Sequence, residues 1–186
     1  MPTPPRFRPI LILALLLLPP ALWAAPPGQV SITLEWVKQD FPARVRVFEP
    51  ARGSDLSIWQ MGTAKGVAQA PVGREITGPV AVAPGEARLV VLVVENPGPD
   101  GLYFFAAPHQ MTPPERALGV RFKCVCTNQP HRVPPKSIWY RVLQLKLYPD
   151  FVGDSLTISH TLVGISAERA RHAAPTGADG LGGDGF

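Results

Sequence analysis

Cysteine is nearly absent from this chain, which has two, Cys124 and Cys126. One pair cannot build the disulfide framework that small secreted domains use in place of a core. Charge is sparse too. Charged residues are 17% of the sequence and the net charge is +4. Without Arg6 and Arg8 the balance is 16 basic to 14 acidic residues. No Lys/Arg cluster stands on a readable face, which argues against nucleic acid as a partner. Gly-rich phosphate loops set between a strand and a helix are missing. Asp150 and Asp154 share a turn, with nothing to pair them as acid and base. No local signature supports a Ser-His-Asp set. The chain reads as a non-enzyme.

Proline and glycine are plentiful, at 23 and 17 residues, and long helical patterns are not. That composition predicts an all-β, turn-rich fold. Val30, Ile32, Leu34 and Trp36 alternate with polar residues, as in a half-buried strand. Ala43–Phe48 alternates again, with Arg44 and Arg46 outward, and Leu56–Met61 and Glu75–Val82 are shorter candidates. Leu89–Val94 is unbroken and apolar, the pattern of a strand buried on both faces. Leu102–Ala107, Leu118–Cys126, Ile138–Leu147 and Leu156–Ile165 follow, with a short helical or turn insert at Met111–Arg116. Seven to nine strands at this spacing predict an immunoglobulin-like β-sandwich over residues 29–166. Trp36, Trp59 and Trp139 are expected to fill its core. Residues 167–186 are small and Gly-rich, and are expected to form a disordered tail.

The first 25 residues read as a targeting segment. Arg6 and Arg8 precede the apolar run Ile10–Leu18, and Pro19-Pro20 leads to small residues at Ala24-Ala25. A signal peptide is expected, with a membrane anchor as the alternative; the run is shorter than the ~20 residues that span a bilayer. Either reading places the body outside the cytoplasm, in the periplasm of a bacterial cell, secreted or held at the inner membrane through the N-terminus.

Lys123-Cys124-Val125-Cys126-Thr127 ends a strand-like run. In an extended chain, residues i and i+2 share a face. Both sulfurs are then expected to leave one side of the sheet together. That suits two soft ligands on one soft ion, or a strained, reducible disulfide. Thiolates select Cu(I), zinc or iron–sulfur clusters. Structural zinc takes four ligands and a cluster usually four cysteines, whereas Cu(I) is satisfied by two or three. The count of two favours Cu(I). Lys123 or Arg121 would help keep the thiols ionised. His109 and Met111 are further candidate ligands if their step is extended, but read more readily as surface and core residues. His131 reads as a solvated loop residue and His160 as a core histidine. The cysteines themselves have two other readings, as buried structural thiols or as a redox pair.

Several motifs occur in an order that resembles a known family. Ala83-Pro84-Gly85-Glu86 is followed by an apolar strand and Glu95-Asn96-Pro97. Met111-Thr112-Pro113-Pro114-Glu115-Arg116-Ala117 comes next, then Phe122-Lys123, Cys124-Val125-Cys126 and Asn128-Gln129. Leu147-Tyr148-Pro149-Asp150 and Leu156–Thr161 close the set. Residues 80–165 thereby resemble the periplasmic domain of the cytochrome c oxidase assembly protein CtaG, bacterial counterpart of the mitochondrial Cox-eleven copper chaperone. Val125 and Thr127 stand where that family carries aromatic residues. The resemblance implies an immunoglobulin-like fold and Cu(I) held by Cys124 and Cys126, often across a homodimer. It also implies delivery of copper to the CuB centre of a cytochrome c oxidase subunit, or to another cuproprotein.

Overall fold

The computed structural model describes residues 28–127 and 129–173. The targeting segment, Asn128 and the tail beyond residue 173 lie outside the described residues. The strands are β1 (Val30–Gln39), β2 (Arg44–Pro50), β3 (Met61–Ala64), β4 (Val72–Glu75), β5 (Val80–Val82) and β6 (Ala87–Asn96). They continue with β7 (Leu102–Ala106), β8 (Gln110–Thr112), β9 (Val120–Lys123), β10 (His131–Val133), β11 (Ser137–Leu147) and β12 (Ser155–Ile165). A short helix, α1 (Ala167–Ala173), follows.

The strands form two six-stranded sheets. The first runs β10-β7-β12-β1-β5, with β8 also paired to β12. The second runs β3-β11-β6-β2-β4, with β9 also paired to β11. This is the all-β sandwich the composition predicts. Six of the strands have only three or four residues, too short for a period to register in sequence, so the number exceeds seven to nine.

Alternation decides what each long strand buries. Val90, Leu92 and Val94 of β6 join Leu143, Leu145 and Leu147 of β11 on the inter-sheet face. They meet Val30 and Ile32 of β1 and Leu156, Ile158 and Leu162 of β12. The other face of β6, Val91 and Val93, packs with Ile138 and Val142 beneath Leu56, Val67 and Val72. Burial on both faces is why Leu89–Val94 is apolar without a break.

Three sequence readings are corrected. Leu56–Met61 is not a strand; it is mostly turn, and β3 begins at Met61. Glu75–Val82 splits across the two sheets, β4 pairing with β2 and β5 with β1, because Thr77-Gly78-Pro79 interrupts the run and proline has no N–H for a ladder. Residues 167–173 are helical rather than part of a disordered tail. The Arg169 amide donates to Ser166 Oγ at 3.2 Å and Ala170 is buried, so this turn is capped and docked.

Candidate metal centre

The centre lies where each sheet changes the short strand that lines its longest one. On β12, Ser159 opposes Gln110 of β8, and Leu162 opposes Ala106 of β7. Between those pairs, Ala107-Pro108-His109 faces only His160-Thr161. One extra residue makes a bulge, which re-aims side chains. Pro108 is suited to it, having no ladder donor to lose. The Ala107 amide still bonds Thr161 O at 2.9 Å, and His109 is turned towards His160, ring centroids 5.3 Å apart.

A matching change on β11 positions the cysteines. Lys123 of β9 opposes Gln144, so a continuing strand would set Cys124 against Leu143 and Val125 against Val142. That edge is taken. Trp59 N donates to Val142 O at 3.0 Å, and Val142 N donates to Gln60 O at 2.8 Å. The chain after Lys123 therefore leaves the sheet and crosses to β10 of the other one. This corrects the expectation of an extended Cys-Val-Cys strand. Val125 is buried in the inter-sheet core, while Cys124 and Cys126 are half-buried free thiols. The Cys126 amide donates to Cys124 Sγ at 3.2 Å, tightening the turn around the sulfur.

These two irregularities bring four soft or borderline ligands together. One ligand atom each from His109, Cys124, Cys126 and His160 lies within 4.8 Å of every other. Cys126 Sγ is 3.6 Å from His109 Nδ1 and 3.8 Å from His160 Nδ1. In a tetrahedral site with the usual metal–sulfur and metal–nitrogen bonds, such an edge is about 3.5 Å. The donor set therefore fits one metal ion with little movement. His160 is fully buried and the other three are partly exposed, so the cluster opens to one side. His109 also lines a cleft with Met111, Phe122 and Arg121.

The sulfurs are electrically unequal. Cys124 is pushed down, first by hydrogen bonding with the Cys126 side chain and further by the neighbouring His109 and His160 imidazoles, against the opposing effect of burial. Cys126 is pushed up, by its bond to Cys124 and by burial.

Around them, the Trp36 ring stacks on His160, and Phe122 packs against both His109 and His160. Lys123 does not serve the sulfurs: its Nζ sits 4.4 Å from the centroid of the Trp59 ring. Trp59 is 43% exposed and is not a core residue, whereas Trp139 is. His131 is no solvated loop residue. It is buried against Phe104 and Trp139, with Nε2 3.1 Å from Thr127 Oγ1. Burial first, then the positive charge of Arg141, lowers its pKa to about 4.

Cys124 and Cys126, expected as ligands from their spacing, their thiolate chemistry and the family resemblance, thus sit together with His109 and His160. Met111 packs against the core and lines the same cleft as His109. His160 had a signal, as the one polar residue on the buried phase of β12. His109 had a weaker one, Pro108 interrupting a strand. Arg141 went unread, although it interrupts the apolar phase of Trp139, Leu143 and Leu145.

Residues 30–165 match a family described as a domain of unknown function (DUF8709). No curated protein and no solved structure matches the chain.

Proposed function

The chain belongs to the DUF8709 family, and we propose that it binds Cu(I) through Cys124, Cys126, His109 and His160 and carries it outside the cytoplasm. The recipient would be a cytochrome c oxidase subunit or another cuproprotein. The observation that carries the reading is the four-ligand cluster with both thiols half-exposed. Thiolate and imidazole together suit a soft or borderline ion. Cu(I) is stable with two or three ligands, so an incoming thiolate could displace one ligand at a time. Accessible sulfurs are what such an exchange needs. The choice of recipient rests on the resemblance of residues 80–165 to the oxidase assembly proteins. One chain supplies four ligands, so a homodimer is not required to complete the set.

The same ligand count favours a second reading, structural zinc, which takes four ligands of these types. Against it stands the sandwich core, which is large enough to hold the fold without a staple. A third reading is a thiol–disulfide protein acting on cuproprotein cysteines.

Anaerobic titration of the reduced protein with Cu(I) against a competing chelator separates these. The Cys124→Ser/Cys126→Ser variant is run alongside. Tight binding of one Cu(I) per chain, lost in the variant, supports the carrier. Tight Zn(II) binding with weak Cu(I) binding moves the reading to zinc. No binding of either ion leaves the thiol chemistry, read by the reduction potential of the pair.

A further inference from the structure

We propose that Arg141 is a buried counter-charge that makes the Cys–His centre prefer a monovalent soft ion over a divalent one. The inference rests on the metal-binding reading above and concerns which ion the centre selects. Arg141 lies on β11 between Trp139 and Leu143, and alternation directs all three to the inter-sheet face. It is 8% exposed. Among the described residues no carboxylate pairs with it, and its Nε has no hydrogen-bond partner. An arginine in this position keeps its charge. Burying an unpaired charge costs several kcal/mol, so such a residue calls for an anion.

The anions within its field are the cysteine sulfurs. Val125 is buried in, and Cys124 packs against, the inter-sheet cluster that holds Trp139 and Leu143 on either side of Arg141, and His131 packs on Trp139 with its Nε2 3.1 Å from Thr127 Oγ1, so the cysteine turn lies on the face that Arg141 enters. Burial weakens the guanidinium's hold on its proton, while both cysteine sulfurs strengthen it. His131, the other titratable group close by, is neutral near pH 7 and offers no negative charge.

The charge count then separates the ions. A metal-loaded centre has two thiolates and two neutral imidazoles. With a monovalent ion it carries one net negative charge, which the guanidinium cancels. With a divalent ion it is neutral, and Arg141 is left buried and unpaired. The first arrangement is favoured by the low dielectric between the sheets. Arg141 touches no substrate in this scheme; it acts on the ion through the sulfurs.

The test compares Cu(I) and Zn(II) affinities in the wild type, Arg141→Leu and Arg141→Lys, each ion against a chelator of known strength. Arg141→Leu is expected to fold, since leucine suits the apolar neighbours and removes a buried charge. Its preference for Cu(I) over Zn(II) should fall by about tenfold or more relative to wild type, and Arg141→Lys should restore most of it. A purely structural arginine would weaken both ions together and leave the ratio alone. A folded Arg141→Leu protein with the wild-type ratio overturns the proposal. Should that variant fail to fold, the lysine variant decides: keeping the wild-type ratio supports the counter-charge, and losing it rules the counter-charge out. A wild type that binds neither ion removes the metal-binding reading itself. One that binds both, with a ratio blind to residue 141, removes only this inference.

Discussion

Trp36 and His160 stand opposite each other across the parallel pairing of β1 with β12, and their rings stack with centroids 5.0 Å apart and 8° between planes. Such a stack fixes the plane of the imidazole. A ligand ring held in one orientation pays less entropy on binding a metal than a free one. Aromatic stacking of this kind contributes about 1 kcal/mol. Trp36→Leu should keep the fold and all four ligands but weaken Cu(I) binding by about fivefold. Chelator competition reads this directly. An unchanged affinity would mean that Phe122 and the backbone already hold the ring.

His131 should make the protein acid-sensitive. Its folded pKa, about 4, lies below the usual histidine value near 6.5. The unfolded chain therefore takes up the proton first as pH falls. The stability owed to a neutral, buried His131 is complete above pH 6.5 and is lost as pH drops towards 4. The full loss is about 3 kcal/mol. Urea midpoints measured between pH 7.5 and 4 should fall accordingly, and His131→Phe should flatten that slope. An equal slope in the variant would assign it to other groups.

The fold was legible wherever a strand was long. The unbroken run at Leu89–Val94 and the alternation of Leu156, Ile158, His160 and Leu162 each imply their own burial. The cysteine pair was legible as a ligand set because i, i+2 sulfurs stay close in an extended chain or a tight turn. Its path was not, because the edge of β11 is occupied by the Ser57–Gln60 turn, which lies far away in sequence. His131 was misread because β10 has three residues and shows no period. The joining of His109 to His160 depends on a bulge, which arises from the register of two strand pairs and not from any local run.

The bulge itself predicts unequal roles for the two histidines. His109 is half-exposed on the Ala107–His109 bulge, and His160 is buried at its base. Removing the outer ligand leaves Cys124, Cys126 and His160. Three ligands still satisfy Cu(I), whereas tetrahedral Zn(II) loses a full position. His109→Ala should bind one Cu(I) per chain with affinity reduced by about tenfold, and should lose proportionately more Zn(II) affinity. X-ray absorption of the copper-loaded variant should show sulfur scatterers retained and one fewer nitrogen. Complete loss of Cu(I) would mean that the outer histidine is indispensable and that the thiols alone do not hold the ion.

Trp59 tests how the cysteine turn is held off the sheet. Its backbone is in the left-handed region, with φ at 70°, and its amide donates to Val142 O. A tryptophan there is strained by about 1 kcal/mol. Its ring gains about 0.5 kcal/mol from Lys123 at this exposed position. Trp59→Gly relieves the strain, loses the ring contact and adds freedom to the unfolded chain, so these effects should nearly cancel. Trp59→Pro is a different change. Proline cannot adopt this φ and has no amide proton to give Val142, so about 3 kcal/mol or more should be lost. The freed edge of β11 could then accept the chain after Lys123, drawing Cys124 and Cys126 into the strand and away from the histidines. Urea unfolding checks the first difference. Metal affinity of the folded fraction checks the second: glycine should bind as wild type and proline weakly. Equal binding by both would show that the cysteine turn keeps its shape without the Ser57–Gln60 plug.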